Sequence, residues 1–299
     1  MATTTDYLKL HFIVFLWGFT AILGLLISIP SVEMVLYRTL LAALGMGAFM
    51  LWRNGSFQVS KVDSIKLILI GSIVCFHWLA FFGSARVSNA SVSLVGFATN
   101  SLWAAMLEPW MNRNRIKKFE LLLGLVVIVG LYVIFSFNFE YKLGLALGIA
   151  AGFTAALFSV LNAKMVRRID PYAITFYEMI GAFIATALFL PIYKYTIAEQ
   201  GELRLIPTSL DWVYIALLAW VCTVYAFSMS VKLMKKLSVF FIQLTLNLEP
   251  VYGIIMALII LGNSEKMGLN FYAGTLIIIS AVVSYPWLKK KFDKPVFMR

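Results

Sequence analysis

The chain has 299 residues, 62% of them apolar and 13% charged, with a mean hydropathy of +0.89. A soluble domain sits near half apolar and a quarter charged, so this excess excludes a soluble enzyme, a disordered chain and a disulfide scaffold, and selects a multi-spanning membrane protein. The net charge of +11 does not point to nucleic acid, because the basic residues lie between apolar runs instead of clustering on a soluble face.

Apolar runs and their polar punctuation predict ten spans, near 8–28, 33–52, 64–84, 89–111, 119–137, 143–164, 172–193, 211–231, 237–262 and 269–288. All are expected to be helical, since lipid offers no partner to open backbone groups and the runs are twice the length of a barrel strand. Cys75 and Cys222 both fall inside apolar runs, which rules out a secreted disulfide framework. The first run opens near Leu8, lacks a small-residue cleavage site and is followed by further spans, so no cleavable signal is expected.

The basic residues set the orientation. Lys9, the loops around Arg53, Arg113, Lys164 and Lys232, and the tail 289–299 hold 19 of the 25, while Arg86, Lys142, Lys194, Arg204 and Lys266 stand on the other side and Arg38 falls within span 2. The positive-inside rule then places both termini in the cytoplasm of a multi-pass protein of the cell (inner) membrane. One missed span would have inverted the split halfway along the chain.

The chain also resembles itself. Gly18-Phe19-Thr20-Ala21-Ile22-Leu23 in span 1 answers Gly152-Phe153-Thr154-Ala155-Ala156-Leu157 in span 6, and Tyr37-Arg38 in span 2 answers Tyr177-Glu178 in span 7, each a few residues after a proline (Pro30, Pro171). Gly124 and Gly130 in span 5 match Gly274 and Ser280 in span 10. Five spans per repeat is an odd number, so the second repeat enters the membrane from the opposite side. That inverted topology is the architecture of secondary carriers, with a substrate site near the midplane between the halves.

Trp17-Gly18, Tyr37-Arg38 with Ala42, Thr223-x-Tyr225, and Leu248-Glu249-Pro250 followed by Gly262 and Glu265 resemble the EamA-type repeat of the drug/metabolite transporter superfamily. The resemblance covers nearly the whole chain, as repeats 8–137 and 143–288 followed by a basic cytoplasmic tail, 289–299. It implies an all-α integral membrane fold of ten transmembrane helices in two inverted five-helix repeats, a central cavity, and transport, often export, of amino acids or related metabolites. The family usually carries a proline midway along the fourth helix of each repeat. Pro250 keeps it in the second repeat, whereas the first has Ser101 there, and its later glutamate is replaced by the turn Asn112-Arg113-Asn114-Arg115.

An ionisable side chain inside a span costs at least about 2.5–3.5 kcal/mol and so faces the bundle interior or a wet cavity. Glu249 lies about 18 Å along span 9, close to the midplane, and Pro250 leaves the carbonyl of Leu246 unbonded. Glu249 either takes up a proton or faces a substrate amine; the plainer alternative is a protonated carboxyl bonded to a neighbouring helix. His77, one turn from Phe81, is either a satisfied interhelical contact or a substrate or proton ligand. Arg38 and Glu178 occupy matching repeat positions, each at a gate on its own side or in a static interhelical bond. Glu108, near Arg113 and Arg115, reads as a structural ion pair. Repeat alignment sets Asn100 opposite Glu249 with Trp103 one turn away. Asn162, Gln243 and Asn247 supply amides, and Phe97, Phe158, Tyr177, Trp220 and Tyr225 supply aromatic walls.

These groups predict an amphipathic solute of amino-acid size, a zwitterion or cation rather than a multiply charged anion. Besides that small molecule, the expected partners are the lipid bilayer and a proton, with no nucleic acid. The chain has no GxxxxGK[ST] loop, no GxSxG, two histidines and no carboxylate cluster of metal-ligand spacing. A secondary carrier without cofactor is therefore expected ahead of an enzyme on lipid-linked substrates or a channel.

Overall fold

The computed structural model describes residues 2–88, 90–135, 141–252 and 269–292. The described residues are helical apart from short connections, in an all-α membrane fold. The helices are α1 (Thr4–Gly18), α2 (Thr20–Leu26), α3 (Ser31–Trp52), α4 (Lys61–Val87), α5 (Ala90–Phe97), α6 (Asn100–Met111), α7 (Lys118–Phe135), α8 (Lys142–Met165), α9 (Pro171–Thr196), α10 (Ser209–Ala216), a π-helical stretch (Leu217–Tyr225), α11 (Ala226–Leu233), α12 (Val239–Leu246) and α13 (Leu269–Phe292). The α1/α2, α5/α6 and α10/π/α11 runs are spans 1, 4 and 8 interrupted once or twice. The ends of spans 5 and 9, the Gly262 and Glu265 positions and 293–299 of the tail lie outside the described residues.

Helix starts follow local chemistry. Ser60 accepts from the Asp63 amide, Asp170 from the Tyr172 amide beside Pro171, Thr208 from the Asp211 amide, and Ser238 from the Phe241 amide. Each satisfies an orphan N–H of a first turn. Five runs, α3, α4, α8, α9 and Ser209–Leu233, are each long and apolar enough to cross a bilayer. Leu44, Leu51, Leu69, Leu122, Leu188 and Leu276 stay exposed on the outside of the bundle, the outward apolar belt that lipid requires.

The packing repeats itself when the halves are exchanged. Spans 2 and 7, 4 and 9, and 5 and 10 each pair with their own counterpart, and the α4 contact with α9 is mirrored by contact of the π stretch with α3. Glycines set the closest crossings. A Cβ on Gly71 would lie 2.1 Å from the Glu178 carbonyl oxygen and one on Gly181 2.2 Å from that of Ile68, so α4 and α9 touch backbone to backbone. A Cβ on Gly274 would lie 2.4 Å from the carbonyl of Gly130 where α7 crosses α13. Bilayer helices associate through such small-residue contacts, because lipid tails are as apolar as leucine.

The two fourth helices break at matching places. α5 ends at Phe97 and α12 at Leu246, each followed by a two-residue turn before the helix resumes at Asn100 and Glu249. The turn amides bond three residues back, Thr99 to Gly96 and Leu248 to Thr245. Pro250 explains the second break. At the first, the absent proline is replaced by side chains that compete for carbonyls: Thr99 Oγ1 donates to Gly96 and Ser101 Oγ to Ala98. The broken stretch lies against α8, where a Cβ on Gly152 would meet the Phe97 carbonyl at 2.7 Å. The asymmetry expected from Ser101 is one of sequence, and the backbone breaks in both repeats.

Candidate functional site

A cavity of about 80 Å³, partly open, lies between spans 1, 2, 3, 4, 6, 8 and 9. Its apolar wall is Trp17, Trp78, Phe81, Phe82, Phe97, Phe158 and Phe227, and its polar groups are Thr20, Arg38, His77, Ser159, Cys222, Ser230, Gln243 and Glu249. The His77 ring sits 5.5 Å from Phe158, 5.7 Å from Phe97 and 6.3 Å from Phe81. Its Nδ1 is 2.9 Å from the Ala151 carbonyl. A carbonyl only accepts, so Nδ1 carries a proton, and in the neutral ring Nε2 is left as an acceptor.

Arg38 enters the cavity from α3. Its guanidinium lies over Trp78, 4.0 Å from the ring centroid, and Nε donates to Thr223 Oγ1 at 3.1 Å. The π stretch makes this possible: Thr223 Oγ1 bonds five residues back to Leu218, and the Cys222 carbonyl accepts from Trp17 Nε1 at 2.8 Å. A π turn widens the helix and redirects side chains, commonly at functional sites. Neither the outer nitrogens of Arg38 nor the carboxyl of Glu249 has a hydrogen-bond or ion-pair partner among the described residues, yet both line one cavity.

The remaining expected site residues lie elsewhere. Asn100 is fully buried behind the wall with neither side-chain atom bonded, and Trp103 packs edge-on against Phe153. Asn162 donates to Glu178 at 3.2 Å within the α8–α9 contact. Tyr177 donates to the Phe57 carbonyl and Trp220 to that of Leu41. Tyr225 sits half exposed against Phe12, and Asn247 bonds the Gln243 and Leu244 carbonyls at the helix break beside Pro250. Among the described residues Glu108 makes no ion pair: its two oxygens accept the Val239 and Phe240 amides at 3.2 and 2.9 Å, capping α12. A helix N-terminus carries partial positive charge and unpaired N–H groups, which compete well for a carboxylate. Trp17, Phe82 and Phe227 were not anticipated as cavity walls.

Both faces of the bundle are fastened by the same device. On the face carrying the N-terminus, Asp63 grips Arg168 with a forked pair of bonds, reaching from the start of α4 to the connection between spans 6 and 7. On the opposite face Asp211, at the matching position of α10, accepts Ser28 N at 2.8 Å and Ser28 Oγ at 2.6 Å from the connection between spans 1 and 2. There Arg86 also donates to the Ile29 carbonyl at 2.7 Å, and Gly24 lets the Phe82 ring seat against α2. The N-terminal face adds Asp6 with Lys236, 2.9 Å apart. The Thr3 amide, the Lys236 ammonium and the Thr3 hydroxyl hold the Asp6 carboxyl well below the usual carboxylate range. Its share of stability is complete above an unfolded carboxylate's pKa, near 4, and drains away as pH falls below that.

The EamA-like transporter family pattern matches residues 7–136 and 142–285. The chain belongs to the EamA-like transporter family. It is thus a membrane transporter of the drug/metabolite transporter superfamily built from two repeats. No curated protein matches the sequence. Among 29 matching solved chains, one known as "Crystal structure of protein" superposes with a TM-score of 0.77 at 13% identity, covering 97% of this chain and 100% of its own. At that identity the likeness concerns the fold alone.

Proposed function

We propose that this EamA-like transporter is a secondary carrier, working by alternating access, for a zwitterionic amphipathic metabolite of amino-acid class. The observation that carries the reading is the pair of unbonded ionisable groups, Arg38 and Glu249, in the wall of one aromatic-lined cavity. A buried charge without a partner is costly. A solute whose carboxylate meets Arg38 and whose ammonium meets Glu249 relieves both at once, while its apolar side chain packs among Phe81, Phe97, Phe158 and Phe227. The matched Asp63 and Asp211 fastenings suit a molecule that opens one face and shuts the other. Positive-inside orientation makes the N-terminal face cytoplasmic in the cell membrane, which favours export or exchange of a solute made within.

Purified protein in liposomes should take up labelled apolar L-amino acids with saturable kinetics and speed up when the far side is preloaded. Conductance without saturation would instead indicate a channel, and product formation without flux an enzyme. A proton and the solute's ammonium compete for Glu249. Glu249→Gln should therefore raise the half-saturating concentration and flatten the pH dependence of uptake; an unchanged pH profile removes that role from Glu249.

Alternation has its own test. Asp211→Asn removes charge from the bonds that close the opposite face, and a hydrogen bond to a charged group contributes about 1.5–3 kcal/mol. Labelling of the native cavity residue Cys222 by a thiol reagent added at that face should rise about tenfold or more, with no rise from the N-terminal face. Equal rates in wild type and variant would remove Asp211 from the gate.

A further inference from the structure

A second, polar space opens on the N-terminal face, bounded by Glu108 and Asn112 at the end of α6, Ala163, Lys164 and Arg167 around the end of α8, and Met234–Ser238 between α11 and α12. Its charges are not balanced. Glu108 is occupied by the amides of α12, Lys164 by the Met111 carbonyl and Lys236 by Asp6, leaving the exposed Arg167 and Lys235 with no hydrogen-bond or ion-pair partner among the described residues. Met234 borders both this space and the central cavity. One turn from Ala163, Ser159 accepts from Gln243 Nε2 at 2.7 Å and ties span 6 to span 9 at the cavity floor. Met234, a flexible thioether side chain, is the residue that the two linings share. On the opposite face the Asp211–Ser28 and Arg86–Ile29 bonds and the Phe82 ring against Gly24 tie the connection between spans 1 and 2 to its neighbours. Methionine, unbranched with three rotatable bonds, swings aside at less cost than a β-branched or aromatic residue.

We propose that the basic pocket is a loading vestibule that draws in the carboxylate end of the solute, and that Met234 is the gate between it and the cavity. The proposal rests on the carrier reading and adds its entry side, its gate residue and the charge that the entry selects. Arg167 and Lys235 attract the carboxylate, Met234 moves aside, and the carboxylate passes up the α11 face to Arg38. A cationic solute would meet repulsion at this mouth, which separates a zwitterion from an amine lacking the carboxylate.

Cys222 in the cavity wall serves as the reporter, and Cys222→Ser supplies the blank. Two methanethiosulfonates of similar size, one ending in sulfonate and one in trimethylammonium, are applied to the N-terminal face of the reconstituted full chain. Arg167→Glu with Lys235→Glu should lower the sulfonate-to-ammonium rate ratio about tenfold, the lower end of electrostatic focusing in a charged cleft. Met234→Ala should raise both rates several-fold and Met234→Trp should cut both, with Met234→Leu close to wild type and melting temperatures showing that the variants fold. A ratio within twofold of wild type in the charge-reversed protein overturns the vestibule. Met234→Ala and Met234→Trp rates within twofold of wild type overturn the gate. Gated, charge-selective labelling without amino-acid flux would sink the proposed function and leave the vestibule standing; flux with ungated labelling would do the reverse.

Discussion

Replacing Arg38 by glutamine lowers affinity for the transported zwitterion by about a hundredfold or more. The guanidinium offers its outer nitrogens to the cavity while Nε is fixed on Thr223 and the plane is stacked on Trp78. The fork is therefore held in place before the solute arrives, and little conformational entropy is lost on binding. Removing one partner of a buried charge pair costs about 3–5 kcal/mol, more than two decades in a dissociation constant. Arg38→Lys keeps the charge but loses the planar fork and the stacking, so it should fall between wild type and Arg38→Gln. Competition binding in detergent, with thermal unfolding as the control for fold, measures all three. An Arg38→Gln protein that melts like wild type and binds within threefold of it removes Arg38 from the site.

Gly71→Ala unfolds the transporter at markedly lower temperature. The added carbon would sit 2.1 Å from the Glu178 carbonyl oxygen, which is backbone and cannot rotate away, so α4 and α9 must part. Overpacking a tight interior costs about 1–3 kcal/mol, and a backbone clash belongs at or above the top of that range. Gly83 lies in the same helix and supplies the contrast: its new carbon would meet only Leu147 Cδ1, at 3.9 Å, an ordinary contact. Gly83→Ala should melt at or slightly above the wild-type temperature, alanine being the better helix former by up to about 1 kcal/mol. Equal melting of the two variants would show that the α4–α9 crossing is looser than described.

The fold was largely legible in the residues because the membrane imposes few choices. Long apolar runs must be helices, and Gly18-Phe19-Thr20-Ala21 against Gly152-Phe153-Thr154-Ala155 betrays the repeat without any structure. The cavity was legible where polarity breaks the apolar background, at Arg38, His77, Gln243 and Glu249, and at the aromatic residues Phe81, Phe97 and Phe158. Trp17, Phe82 and Phe227 did not stand out, because inside a bilayer bundle the lipid-facing and cavity-facing sides are both apolar and the helical period that marks a buried face in water is muted. Asn100, Asn162 and Asn247 drew attention by the same polarity rule but lie within helix contacts or at a helix break. A one-dimensional reading does not separate a polar group facing a cavity from one facing a neighbouring helix. The break at Ala98–Thr99 was hidden since its signal is a threonine and a serine competing for carbonyls in place of a proline. The π stretch that brings Thr223 to Arg38 has no marker of its own.

The central claim is that Arg38 and Glu249 hold the two ends of one zwitterion. Counterflow of labelled apolar L-amino acids into proteoliposomes tests it most directly when challenged with analogues lacking one charge, for phenylalanine the corresponding amine and the corresponding carboxylic acid. The account predicts saturable counterflow in which the intact amino acid competes at least about a hundredfold better than either analogue, with that advantage lost in Arg38→Gln and Glu249→Gln. Absence of counterflow for every amino acid tried, or an analogue that competes as well as its parent, would contradict it.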